Sequence, residues 1–173
     1  MPILEKIQEK QPLILNLANF VTPQRVADAI SFAGGSPLMT AEIAWFADKE
    51  SLNKGIDALE SNLGVEHARV AAQKTGAVIV QTGKVDVISN GFEELFVETD
   101  SPFFKINVGC GDMLSAIVGT FAAVSDDLFK AAHEATEFFG ESGVKATEQV
   151  ENLPGNFVNR LLDKIYQATQ EVM

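Results

Sequence analysis

The chain has 173 residues, 46% of them hydrophobic and 21% charged, which is the size and make-up of one globular domain with a real core and excludes disorder throughout. Its 24 acidic against 13 basic residues give a formal charge of -11, which excludes the basic footprint that nucleic acid or an anionic membrane surface demands. A single cysteine, Cys110, excludes an internal disulfide and points to a reducing compartment.

Phosphorylated ligands stay admissible, because backbone N–H groups at a helix start hold phosphate without surface lysines. The N-terminus MPILEKIQEK carries acids and lacks an apolar stretch of signal-peptide length. The longest nearly apolar run, MLSAIVGTFAAV, is too short to span a bilayer. A cytoplasmic protein is expected.

In chain order, ILEKIQEK reads as a short amphipathic helix closed before Pro12. PLILNLANF is a buried-strand candidate followed by a polar turn. TPQRVADAISFAGG predicts a helix with Thr22 as N-cap, Pro23 at its first position and an end at Gly34 and Gly35. SPLM is a short strand, and AEIAWFADKESL reads as helical. A further helix is expected from Asn62 to Lys74, ended by Gly76. AVIVQT is a continuous apolar run, the pattern of a strand covered on both faces. VDVIS follows Gly83 and Lys84, giving a hairpin, and FEELFVET alternates as a further strand. Helices near Asp127–Thr147 and Asn156–Val172 close the chain. Strands alternating with helices early, then a helical C-terminal half, predict one α/β domain over residues 1–173, with a polar joint near 48–61.

The stretch NVGCGDMLSAIVGTFAA, Asn107 to Ala123, carries the chemistry. Gly109 and Gly111 allow a tight turn that brings N–H groups close to a ligand. A helix opening at Asp112 adds unsatisfied N–H groups and a partial positive charge. Such a mouth stabilises the negative charge that spreads over a phosphoryl group in transfer. A carboxylate at the same place can take the proton of an attacking alcohol. Taken alone, Asp112 reads first as a helix cap and dipole partner, and the string lacks the third glycine of a dinucleotide fingerprint.

This stretch resembles the C-terminal catalytic motif of the ribokinase-like superfamily, and other segments resemble one branch of it, the hydroxyethylthiazole kinase family. NLANFVTPQRVADAISFAGGSPLM is similar to the family's N-terminal segment, with Asn19, Gly34, Ser36, Pro37 and Met39 in matching places. VIVQTGKVDVIS is similar to its nucleotide-side strand and hairpin, with Thr82, Gly83 and Asp86 matching. LPGNFVNRLLDKI resembles its closing helix, with Pro154, Gly155 and Phe157 matching.

The resemblance implies a shortened ribokinase-like three-layer α/β/α sandwich. It implies a transferase of thiamin salvage that moves the γ-phosphate of ATP, with Mg²⁺, to the hydroxyl of 4-methyl-5-(2-hydroxyethyl)thiazole, working as a homotrimer with sites between subunits. Carried across, Asp112 is the catalytic base, where many family members have cysteine and ribokinase relatives have aspartate. Gly109, Cys110 and Gly111 form the anion hole. Asn19, Met39 and Gly109 contact the thiazole alcohol, and Thr82 and Gly83 the nucleotide. Metal ligands stay unassigned.

The family is longer. AEIAWFADKESLNKGIDALES passes directly from its N-terminal region to a KGVDA-like segment at Lys54 to Ala58. The central block with interior strands and the segments that organise Mg²⁺ has no counterpart. Ala18 stands where the family usually has a hydroxyl residue, and Asp28 where it usually has asparagine. A rival expectation follows, an inactive relative that binds a small heteroaromatic ligand or only self-assembles. Elsewhere the bland readings prevail. Cys110 is a small loop residue, although a thiol at a helix start can be reactive. His67 and His133 lack metal-type spacing and read as exposed helix residues. The acidic stretches ALESNLGVEHAR and HEATEFFGES read as solvated faces. Trp45 and Phe46 read as core, and Phe103 and Phe104 as packing under the catalytic loop or covering the site.

Overall fold

The computed structural model describes residues 2–17, 21–40, 65–99 and 101–171. Asn19, Trp45, Phe46, the helix expected over 41–52 and the joint near 48–61 lie outside the described residues.

The first helix, α1 (Pro2–Lys10), buries Ile3, Leu4 and Ile7 on one face, with Glu5 in its first turn and Lys10 in its last to complement the dipole. Strand β1 (Leu13–Leu17) pairs in parallel with β2 (Ser36–Thr40), Leu15 opposite Leu38 and Asn16 opposite Met39. Parallel pairing needs a crossover, and α2 (Pro23–Phe32) supplies it. That helix starts at Pro23 as expected. It ends in a Schellman motif: Gly35 N–H donates to the Ile30 carbonyl and Gly34 N–H to that of Ser31. Gly34 supplies the left-handed φ of 95° that this ending requires.

The strand in PLILNLANF is covered on one face only. Ile14 is 7% exposed and packs with Val26, Ile30 and Ala116, while Leu13 and Leu15 point outward at 67% and 62%. An unbroken apolar run has no alternation to reveal which face is bare.

Helix α3 (Val65–Thr75) stops before Gly76 as predicted. Strands β3 (Ile79–Gln81), β4 (Asp86–Ser89) and β5 (Glu94–Val97) form an antiparallel meander in that order. The expected hairpin is therefore present, but β3 is an edge strand whose residues are all half-buried, not one covered on both faces. The central strand β4 buries Val87, Ile88 and Ser89 instead.

A short helix not anticipated from the sequence, α4 (Pro102–Ile106), is capped by Ser101, whose hydroxyl accepts from Phe103 N–H. It leads into α5 (Cys110–Ala122), α6 (Leu128–Thr147) and α7 (Pro154–Gln170). Asp127 caps α6 by accepting from Lys130 N–H at 3.0 Å. Helix α5 is apolar on most sides because it is the pillar of the core. Its Met113, Ile117 and Phe121 are fully buried beside Ile7 of α1 and Phe157, Leu161 and Ile165 of α7.

The fold is thus α/β with a helical C-terminal half, as the sequence implies. Among the described residues the strands stand in two sheets, β1–β2 and β3–β4–β5.

Glu94 on β5 accepts from Arg69 of α3, 2.7 Å from its Nε, tying helix to meander. That hydrogen bond holds the Glu94 carboxyl below its ordinary value, against the opposing effect of desolvation. A carboxyl depressed in the folded state adds stability that is in place above its unfolded value, near 4.5, and is lost as the pH falls through the folded value. An Arg69→Met protein is therefore expected to melt below the parent at pH 7, with the difference shrinking as the pH is lowered below about 4.5. Thermal denaturation of both proteins over this pH range measures it.

Candidate active site

The turn between α4 and α5 is built on Gly109. Its φ of 96° is left-handed, and it sits at the N-cap of α5. A Cβ there would lie 2.6 Å from Cγ2 of Thr22, so glycine answers both the backbone and a close neighbour. The helix opens at Cys110, two residues before the expected start at Asp112, because the left-handed glycine serves as its cap. Gly111 and Asp112 therefore lie within the first turn, where N–H groups have no intrahelical partner and the dipole is positive.

The three residues expected to form an anion hole, Gly109, Cys110 and Gly111, all lie at this helix start. Cys110 N–H leans back to the Asn107 carbonyl at 3.4 Å. Gly111 is exposed, and nothing lies within 4 Å of where its Cβ would be. Asp112 is half-buried, reachable from solvent while held by the protein.

Two residues that sequence reasoning missed complete the turn, one the N-cap of α2 and the other on its first turn. The Thr22 hydroxyl donates to Asp112 Oδ2 at 2.6 Å. Arg25 donates from Nη1 to the Val108 carbonyl at 2.6 Å, which brings a guanidinium to the glycine loop. The only signal in the sequence was Thr22 in the N-cap position, and that pointed to α2 rather than to an acid 90 residues away. The junction lies where β1 leads into α2, at the carboxyl end of a parallel strand, the usual place for ligands in α/β folds.

Cys110 is a buried helix residue, not a loop residue. Burial pushes its thiol up to about 11, although the charge of Arg25 pulls the other way. A thiol so protonated and covered is a poor nucleophile. Labelling by an aromatic disulfide reagent at pH 8 is expected to run more than about tenfold slower in the folded protein than in denaturant.

The other expected site residues are more dispersed. Met39 is half-buried on β2 and packs against the Ile14, Val26, Ile30 and Ala116 cluster. Thr82 and Gly83 stand exposed on the turn between β3 and β4, where Asp86 Oδ1 accepts from Gly83 N–H at 2.8 Å. Asn19 lies outside the described residues. Phe103 is buried against Phe157 with ring centroids 5.4 Å apart, so it packs under the loop instead of covering the site. His67 is exposed on α3, whereas His133 on α6 is half-buried. Among the described residues no group of three or more His, Cys, Asp or Glu gathers in a way that could hold a metal ion. The described chain therefore offers no protein cradle for Mg²⁺.

Residues 40–171 match the profile of the hydroxyethylthiazole kinase family. The hydroxyethylthiazole kinase of Lactococcus lactis subsp. lactis (strain IL1403) is 66% identical over 250 residues, covering 100% of this chain and 100% of the relative. That of Lactococcus lactis subsp. cremoris (strain SK11) is 54% identical over 249 residues, covering 99% and 100%. The first alignment runs over 250 positions and the chain has 173 residues, so at least 77 positions face no residue here. A solved structure of a hydroxyethylthiazole kinase protein from Pyrococcus horikoshii OT3 superposes with a TM-score of 0.77 at 21% identity, over 99% of this chain and 95% of that one. The likeness to that structure concerns the fold alone.

Proposed function

Because the chain belongs to the hydroxyethylthiazole kinase family, we propose that it transfers the γ-phosphate of ATP to the hydroxyl of 4-methyl-5-(2-hydroxyethyl)thiazole, a step of thiamin salvage. The observation that carries this reading is the turn itself, in which a half-buried carboxylate stands in the first turn of α5 beside the left-handed Gly109. The alcohol oxygen attacks the γ-phosphorus, its proton passes to Asp112, and the bond from that phosphorus to the bridging oxygen breaks to release ADP. The N–H groups of the first turn, Gly111 foremost, face the negative charge that develops on the phosphoryl oxygens. Aspartate suits the role, since it is ordinarily ionised at neutral pH and accepts a proton without prior loss of its own.

Substrate contacts by Asn19 and Met39, and nucleotide contacts by Thr82 and Gly83, belong to the same proposal. ATP is supplied as its magnesium complex, and no step is assigned to the metal. Self-association as a homotrimer is part of the reading too. The bare face of β1–β2, with Leu13, Leu15 and Leu38 at 67%, 62% and 49% exposure, supports such cover by another subunit. Light scattering measures it. A cytoplasmic setting is also proposed. No helix among the described residues is long and apolar enough to cross a membrane.

The experiment is a coupled ADP assay with magnesium ATP and the thiazole alcohol, run beside an Asp112→Asn protein, with the phosphate ester identified by mass spectrometry. Ester formed by the parent and lost in the variant supports the assignment. Equal ADP release from both overturns it and leaves the inactive relative.

A further inference from the structure

Thr22 occupies the N-cap position of α2, yet its side chain makes no capping bond to that helix. A threonine at this position ordinarily turns its hydroxyl to the first N–H groups of its helix. Here the hydroxyl donates 2.6 Å to Asp112 Oδ2 instead. That is the short range of a charge-assisted O–H···O⁻ bond. Thr22 is 2% exposed, so water does not compete for this hydroxyl. Its methyl carbon Cγ2 lies where a Cβ on Gly109 would collide, at 2.6 Å. One side chain therefore touches both the acid and the glycine turn. Arg25 on the same helix holds the Val108 carbonyl, so α2 grips the loop on both sides of Gly109.

We propose that Thr22 is a positioning residue for phosphoryl transfer, its hydroxyl fixing the plane and direction of the Asp112 carboxylate toward the acceptor alcohol. This rests on the kinase reading above. A base serves only if it meets the proton in near-attack geometry, and a displacement of about 1 Å can cost 10²-fold in rate. Without the Thr22 donor the carboxylate keeps its chemistry but loses one of the contacts that aim it, so the loss falls on kcat and not on ground-state binding.

The test compares Thr22→Val, which keeps the shape and removes the hydroxyl, with Thr22→Ser, which keeps the hydroxyl and removes the methyl. The expected result is a kcat about 10–100-fold lower in the valine protein with KM within about threefold, and most of that loss restored by serine. Unchanged kcat in the valine protein overturns the proposal, as does an equal fall in both, which would mark the methyl's packing as the cause. Should valine prevent folding, seen by circular dichroism, Thr22→Ala gives the same comparison.

A second readout needs no turnover: the ¹³C signal of the Asp112 carboxyl at fixed pH, assigned with Asp112→Asn. It is expected to move on Thr22→Val and to return on Thr22→Ser. A signal that stays still overturns the hydrogen bond. A parent protein without turnover whose signal does move overturns the kinase reading, and with it the catalytic part of this proposal, while leaving the contact in place.

Discussion

Asp112→Asn is expected to lower kcat by about 10²–10⁴-fold, the span that a positioned general base contributes. The substitution keeps size and hydrogen bonding, and the amide still accepts from Thr22 through its oxygen, so the turn is expected to survive. What disappears is the proton acceptor. KM for the alcohol and for ATP should stay within about threefold, since neither ground state needs a charged base. Steady-state kinetics on both substrates separates the effects. A variant with parental kcat would mean that Asp112 serves only as a first-turn acid complementing the α5 dipole, which is the bland reading of the sequence.

The second large effect concerns stability. Phe157 of α7 is fully buried, and its ring meets Phe103 at 5.4 Å and Phe104 at 5.5 Å between centroids. Phe104 in turn stacks on Phe139 of α6 at 5.2 Å. This cluster anchors the five-residue α4, which is too short to hold itself and which feeds the Gly109 turn. Phe157→Ala removes the central ring and leaves a cavity, expected to cost about 3–5 kcal/mol. For a chain of this size that is roughly 6–20 °C in Tm. Because α4 leads straight into Gly109, activity at temperatures well below the melt is expected to fall as well. A Tm within 2 °C of the parent would show that the aromatic cluster does not carry this load.

Much of the fold was legible because its boundaries are written in local chemistry. Pro23, Gly34, Gly76, the Gly83 turn and Asp127 each mark an element edge by a preference of the residue itself, and each edge is where the sequence put it. The family resemblance added what periodicity does not carry, the grouping of Gly109 through Asp112 as one site. The features that escaped depend on partners distant in the chain. Thr22 has every mark of a helix cap, and only the approach of α5 turns its hydroxyl toward Asp112. Arg25 reads as an ordinary surface cation until Val108 is placed beside it. Helix α4 covers too few residues to show a period. The exposure of Leu13 and Leu15 follows from which elements arrive to cover β1, and a strand's own letters do not say that.

The cover of Ile14 on the inner face of β1 has a consequence for how the chain is made. Part of that cover is Ala116, on a helix that leaves the ribosome about a hundred residues later. At roughly 5–20 residues per second, the first βαβ unit waits on the order of 5–20 s for its pillar. Through that interval its outer face is bare and its inner face is covered by α2 alone, so the nascent N-terminal portion is a natural client for a holding chaperone.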